Sequence, residues 1–360
     1  MIHFLGVARK VVPTRTRIEQ AIAGLYPGYF ALVMATGIIS TDLAMHHQAS
    51  LSQDFLGMAT VFYGGLWVLY VWRIIKYPDR VQRDLGLSQT QFGYFTMVAA
   101  SGVLGSRLYA AHRVGFALGL AAIMMGLWVV LTYWTFLRVF VVNRDPHMAS
   151  LNGGWLLSTV ATESVATLGI LLVSPGPSDG WGPLLMFGFW ASGVVLYFMT
   201  IFLIMFRFIF TPLSPRDLQS NYWINMGAVA IATLTGARLM AASPHFPFLA
   251  DVRPFVEGMT VLMWAWGSWW IPLLIGLGIW KYVIRRYPWR YEPVRWSMVF
   301  PLGMYSAASG SLAAFSGLHP LWEISQVFLY LAMAGWLVVA VSFGQSLIGK
   351  NSDVSAMAQK

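Results

Sequence analysis

Apolar positions along the chain gather into ten long runs separated by short polar stretches, near 28–46, 55–75, 91–110, 115–138, 153–173, 182–208, 223–243, 256–284, 296–315 and 322–347. About 20 apolar residues in an α-helix cross the ~30 Å hydrocarbon layer of a bilayer. The pattern therefore predicts ten transmembrane helices and an all-α integral membrane fold. The short connections make consecutive helices antiparallel hairpins. Polar end segments, 1–25 and 348–360, flank a single membrane domain at 26–347.

The runs are of two kinds. Even-numbered runs are long and bulky, as in "VLMWAWGSWWIPLLIGLGIWKYV". Odd-numbered runs are rich in small and hydroxylated residues, as in "ALVMATGIISTDLA", "FTMVAASGVLGSRLYA" and "PLGMYSAASGSLAAF". Small residues let membrane helices approach closely. The odd runs also resemble one another: "GSRLYAA" (105–111) and "GARLMAA" (236–242) are near copies. Placing Asp42, Arg107, Leu168, Arg238 and Ser311 in register gives separations of 65, 61, 70 and 73 residues. That spacing is one helical hairpin repeated five times. Each odd run opens on an aromatic, Tyr29, Tyr94, Trp155, Trp223 or Trp296, suited to a membrane interface. Five parallel repeats predict a quasi-five-fold ring, with odd helices inside and even helices outside. Its axis is either a central pore or a compact bundle in which the small residues only pack.

Composition agrees. Of 360 residues, 58% are hydrophobic and 10% charged, and mean hydropathy is +0.63. Soluble domains carry about 25% charged residues. Nineteen of the 23 Lys and Arg fall on the side of the membrane that holds both termini; only Arg107, Arg113, Arg238 and Arg253 fall on the other. The positive-inside rule makes the first side, and both termini, cytoplasmic. The net charge of +9 is then an orientation signal spread over many loops, and nucleic acid is not an expected partner. With no cysteine, disulfides, thiolate catalysis and Cys-ligated metals are excluded. "MIHFLGVA" is too short for a signal-peptide core, and "RK" follows it instead of preceding it.

Three segments, "PGYFALVMATGIIS" in the first run, "WLLSTVATESVATLG" in the fifth and "RWSMVFPLGMYSAAS" in the ninth, carry a resemblance. With the five-hairpin repeat, the chain resembles the tellurite-resistance and dicarboxylate transporter family over roughly 26–347. That family includes bacterial TehA, the yeast malate permease, fungal sulfite pumps and plant slow anion channels. The resemblance implies five helix hairpins around a central pore, a homotrimer, and a pore blocked by a Phe of the ninth helix, here Phe300. It also implies that Ala31 lies beside that ring. Pro301 next to it removes a backbone hydrogen bond and permits a kink, and an apolar constriction can gate by dewetting.

Helical spacing from Phe300 extends the axial stripe to Met304 and Ser311. The repeat register adds Ala161 and Ser164, Ala100, and Gly227 and Thr235. Such a lining of small groups and hydroxyls selects weakly among anions. Arg107 and Arg238 lie near the non-cytoplasmic ends of their helices. They form either an electropositive mouth or snorkelling interfacial groups. Asp42 occupies the same slot and could pair with one Arg. Glu163 interrupts an apolar run, where an ionised acid costs about 2.5–3.5 kcal/mol. It falls one residue, about 100°, off the axial stripe. Three roles are open: a structural acid, protonated or hydrogen-bonded between helices; a proton-coupling group; or a selectivity element beside the anion path. His46, His47, His112, His245 and His319 read as solvated loop residues, and Arg144–Asp145 and the "PRD" at 215–217 as turns. No metal or cofactor is expected.

These features predict transport of small anions, such as chloride, nitrate, sulfite or malate, across the plasma membrane through a Phe-gated pore. The alternative is a proton-coupled dicarboxylate carrier using Glu163. A membrane enzyme acting on lipid would need a catalytic cluster, and the sequence shows none.

Overall fold

The computed structural model describes residues 17–88, 90–141, 151–173, 181–289 and 291–357. Arg9, Lys10, Arg15, Arg144, Asp145, Arg290 and Lys360 lie outside them. Ten long helices follow one another: α1 (Ala31–Met45), α2 (Ala49–Lys76), α3 (Phe95–Ala110), α4 (Val114–Val141), α5 (Leu157–Leu172), α6 (Trp181–Phe210), α7 (Ile224–Ala242), α8 (Pro247–Ile279), α9 (Trp296–Ser316) and α10 (His319–Met357). Nine of these, some with their flanking turns, are long and apolar enough to cross a bilayer by length and composition. The exception is α3, which carries Arg107 and many small polar residues; it is buried from Phe95 to Leu108 by its neighbours.

The odd helices form a closed ring. In sequence, α1 packs on α3, α3 on α5, α5 on α7, α7 on α9, and α9 on α1. Each even helix backs its own inner partner and leans on the next. Apart from α3, between 72% and 89% of the apolar stretch of each inner helix is buried, against 17–39% for the outer helices. Glycine makes the inner approach possible. A methyl group built on Gly37 would lie 3.0 Å from Val103, on Gly102 2.8 Å from Ser164, on Gly227 2.8 Å from Pro301, and on Gly303 2.7 Å from Ile38.

A second ring closes the end where the inner helices begin, here called the basic end. Each inner helix is entered through a short 3-10 turn: Pro27–Phe30, Gln91–Tyr94, Gly153–Leu156, Ser220–Trp223 and Pro293–Arg295. The five turns touch in sequence and close on themselves. The five expected aromatics lie in or just after these turns. Arg73 of α2 and Arg207 of α6 brace this collar in the same way. Arg73 donates to Asp84 (2.5 Å) and to the Tyr94 hydroxyl, and Arg207 to the Tyr222 hydroxyl (2.8 Å), with Asp217 at 3.3 Å. Both are buried.

Each outer helix is also tied to the following inner helix by a polar aromatic. Trp128 Nε1 donates to Thr162 Oγ1 (2.9 Å), Trp190 to the Ala232 carbonyl (3.0 Å), Trp264 to Ser309 Oγ (3.0 Å) and Trp336 to Thr36 Oγ1 (3.0 Å). Tyr63 and Ser101 share the fifth bond (2.8 Å). The Trp336 bond links α10 to α1 and completes the circuit. Interhelical hydrogen bonds in lipid are worth about 0.6–2 kcal/mol each.

Two helices start well before the sequence expectation; α8 starts at Pro247 and not near 256, through a first turn opened by that proline. The second helix starts at Ala49 and not near 55, because Ser52 is enclosed against Ser40, whose hydroxyl donates to the Ser52 carbonyl (2.7 Å). The helices α7 and α9 have 19 and 21 residues, against 15 and 16 for α1 and α3. Counted from the helix starts, Asp42 and Arg107 are residues 12 and 13 while Arg238 and Ser311 are residues 15 and 16, so the five residues set in register are not level. The "PRD" is a turn, as expected, in which Asp217 accepts from the Ser214 amide (2.9 Å) and hydroxyl (2.6 Å).

Two outcomes follow from this packing. A methyl group on Gly153 would lie 2.3 Å from the Asn221 carbonyl oxygen and 2.7 Å from the Tyr222 Cα, both fixed backbone, whereas one on Gly64 meets nothing within 4 Å. Gly153→Ala lowers the thermal midpoint, at a cost of about 1–3 kcal/mol, and Gly64→Ala leaves it equal or higher; melting of the purified variants checks both. The Ser214 hydrogen bonds, and then Arg207, hold the Asp217 carboxyl below its usual range. A depressed folded pKa adds stability that is full above the unfolded value of about 3.9 and is lost as pH falls through the folded one. Asp217→Asn therefore flattens the acid limb of a melting-versus-pH curve while leaving its neutral limb parallel to that of the parent.

Candidate functional site

The inner ring encloses an axis, and the contacts of α9 show which side chains face it. Val299 and Leu302 lie against Gly335 of α10. Pro301 packs on Gly227 of α7, and Gly303 on Ile38 of α1. Tyr305 stacks against Trp264 of α8 and shares a hydrogen bond with Ser268 (2.6 Å). Successive residues turn by 100°, so Phe300 points about 200° away from Leu302. The face left over carries Phe300 and, one turn on, Met304. Phe300 is 1% exposed.

Beyond Phe300 the ring encloses a central void of about 10 Å³. All five inner helices line it, through Thr41, Ser106, Ser164, Ile231, Arg238 and Met304 among others. That volume is about the minimum for one water molecule. The axis is thus continuous in lining but closed in width. Most of its hydroxyls spend their protons on their own helix: Ser164 donates to the Val160 carbonyl (2.8 Å), Thr167 to Glu163 (2.7 Å) and Thr41 to Gly37 (3.2 Å). Such back-bonding presents oxygen lone pairs to the axis, so these hydroxyls offer an anion little.

Of the residues expected on the axis, Ser164 and Met304 line the void, and Ser311 lines a wider vestibule of about 470 Å³ at the end opposite the collar. Gly227 instead faces Pro301, and Thr235 hydrogen-bonds Thr167 between α5 and α7. Ala31, Ala100, Ala161 and Phe300 are buried and line none of the cavities found among the described residues. Ala31 is the first residue of α1, whereas Phe300 is the fifth of α9. With helix starts level in the collar, the Cα of Phe300 lies about one turn deeper than that of Ala31, and its side chain leans back toward the collar.

The two repeated arginines part company. Arg107 is 5% exposed and is used up by packing: Nε donates to Ser40 Oγ (3.0 Å) and Nη2 to Ser52 Oγ (2.7 Å). It fastens α3 to the first hairpin, so it belongs neither to the mouth nor to the interface. Arg238 borders the central void and the vestibule. Its Nη1 donates to the Thr167 carbonyl (2.9 Å) and to Ser106 Oγ (3.2 Å). Ser106 is a functional residue that the repeat register did not mark; the only signal is that it directly precedes Arg107 where the other copy has Ala237.

Neither acid meets an arginine. Asp42 is fully buried with a carboxylate oxygen close to Gly303, and forms no ion pair among the described residues. Glu163 is fully buried and lies over Gly193 of the outer helix α6: a methyl group there would be 2.4 Å from its Oε1. Its carboxylate therefore leaves the ring outward, away from the void that Ser164 lines. A place beside the anion path, one of the three roles open from sequence, has no support in this geometry. His46 is not the solvated loop residue expected: half-buried, its ring lies tilted against Trp322 and shares a hydrogen bond with Ser325 (3.0 Å).

A sequence profile of the voltage-dependent anion channel family matches residues 24–343, and the chain belongs to that family. Two uncharacterized transporters of Methanocaldococcus jannaschii are similar along most of their length. One is 25% identical over 80% of this chain and 83% of its own; the other is 23% identical over 90% and 95%. An uncharacterized membrane protein of Mycobacterium tuberculosis is 37% identical over 41% of this chain and 74% of its own. The protein is a multi-pass membrane protein of anion transport and not an enzyme.

The outward, unpaired setting of Glu163 has a measurable consequence. No cation holds it among the described residues, so an amide of the same shape fits its place. Glu163→Gln keeps or raises the thermal midpoint. Gly193→Leu, which drives a side chain into the carboxylate, lowers it by the equivalent of about 1–3 kcal/mol. A fall of that size in Glu163→Gln would show that the negative charge itself is required.

Proposed function

We propose that the chain passes small anions, chloride, nitrate, sulfite or dicarboxylates such as malate, along the axis of its inner ring, and that Phe300 is the gate. One observation carries the reading: a buried phenyl ring on the axial face of α9 lies one turn before Met304, which lines a void of about the volume of one water. A narrow apolar passage resists hydrated ions, and displacing the ring opens it. Pro301 supports this, because the helix lacks one backbone hydrogen bond where the ring must move. The excess of Lys and Arg at the collar supports a cytoplasmic collar in the plasma membrane. The lipid-exposed outer helices leave room for a homotrimer.

A second reading is favoured by the burial of Glu163 without an ion-pair partner. In it the protein is a proton-coupled dicarboxylate carrier, with Glu163 taking up the proton between inner and outer rings.

Planar-bilayer recording separates the two. The channel reading expects a small parental current that grows about tenfold or more in Phe300→Ala, equivalent to a barrier lowered by at least about 1.4 kcal/mol. Reversal potentials then follow the anion gradient. Equal currents in both forms would remove Phe300 as the gate. Absence of current, with malate uptake driven by a proton gradient and lost in Glu163→Gln, would establish the carrier.

A further inference from the structure

Arg238 stands where three cavities meet: the central void, the vestibule of about 470 Å³, and a side recess of about 260 Å³ bounded by Ile170, Val173 and His245. Its guanidinium is held from one side. Nη1 donates to the Thr167 carbonyl and to Ser106, on the neighbouring helices α5 and α3. Among the described residues no hydrogen bond uses Nε or Nη2, and neither atom is sealed from the cavities. The ion pairs of the described residues are Arg73–Asp84, Lys76–Glu19, Arg207–Asp217 and His319–Glu323, so no acid neutralises Arg238. The two buried acids of the ring turn elsewhere, Asp42 to Gly303 and Glu163 to Gly193. The twin arginine, Arg107, uses Nε and Nη2 on Ser40 and Ser52. Arg238 keeps free the same edge that Arg107 has spent.

An unpaired cation at membrane depth is costly and marks an ion pathway when it borders a water-filled cavity. The edge formed by Nε and Nη2 is a planar fork matched to two oxygens on one atom. Ser106, which accepts from Arg238, retains its own proton as a further donor beside the fork. The vestibule is wide enough for a polyatomic anion, and the void behind it is not. We infer that Arg238 is a binding site for small oxyanions, a nitrate or a single carboxylate group, taken edge-on by Nε and Nη2 where the vestibule narrows to the axis. This assigns the substrate class at the outer neck; it rests on the anion-transport reading for its use, but binding there needs no open gate.

The experiment titrates the purified full-length chain with sodium nitrate and, separately, sodium chloride, reading the thermal midpoint. Parent, Arg238→Lys and Arg238→Gln are compared after their melting without added anion has shown them folded; Arg238→Lys decides alone if the Gln form does not fold. In the parent, nitrate half-saturates at lower concentration than chloride. Arg238→Lys keeps the charge and loses the fork, so nitrate half-saturation rises about tenfold while chloride changes little. Arg238→Gln weakens both. Nitrate binding unchanged in either variant, or no preference for nitrate in the parent, overturns the inference. Flux measured on the same samples separates the two layers. A lost nitrate preference in Arg238→Lys with no anion flux in any form supports the site and removes the transport reading; flux with unaltered nitrate binding does the reverse.

Discussion

Five helices close around one axis here because their facing flanks carry almost no side chain. At four of the five junctions the approach is set by glycine: Gly37 against Val103, Gly102 against Ser164, Gly227 against Pro301 and Gly303 against Ile38. The fifth, between α5 and α7, is made by Thr167 and Thr235. Close approach without a hydrophobic driving force is the rule for helices in lipid, and it leaves an axial space only as wide as the remaining side chains permit. The bulky outer helices answer a different need. They supply the lipid-facing surface and the polar aromatics, Trp128, Trp190, Trp264, Trp336 and Tyr63, that tie each outer helix to the next inner one. The collar of 3-10 turns fixes the starting height of all five inner helices.

With the heights fixed, position along the helix and the neighbours met there decide which polar group borders the axial cavities. Arg238 stands two residues, about 3 Å, further along α7 than Arg107 along α3, and it borders the open neck. Arg107, on a shorter helix, stops where Ser40 and Ser52 enclose it. Two arginines in nearly the same local sequence thus become a fastener and a cavity-lining cation. The acids follow the same geometry. Asp42 and Glu163 stand off the axial face, so the interior of the ring carries positive charge without a fixed negative partner among the described residues.

Much of this was legible in the sequence. Ten apolar runs, the alternation of small and bulky helices and the repeated "G-x-R-L" sufficed for a five-hairpin ring, and the "VFPLG" segment pointed to Phe300 on its axial face. The roles of the two arginines were not legible, because they depend on serines of another hairpin, 67 and 55 residues away from Arg107. Nor was the height of Phe300: the family resemblance set Ala31 beside its ring, while level helix starts put the two Cα atoms about a turn apart. The direction of Glu163 depended on Gly193, a residue of the outer ring that no inner-helix pattern involves.

All five inner helices line one narrow axial void, and Arg238 edges it with Nε and Nη2 uncommitted among the described residues. The chain contains no cysteine, so single cysteines report position without interference. The most direct measurement places Met304→Cys on the axis and Val338→Cys on the lipid face, each in the Phe300→Ala form, and follows anion flux during exposure to a negatively charged methanethiosulfonate. Rapid loss of flux at Met304→Cys, slowed by a permeant anion, with Val338→Cys unaffected, is the predicted result. Flux that persists with Met304→Cys unmodified, or that is lost through Val338→Cys, would contradict an axial path.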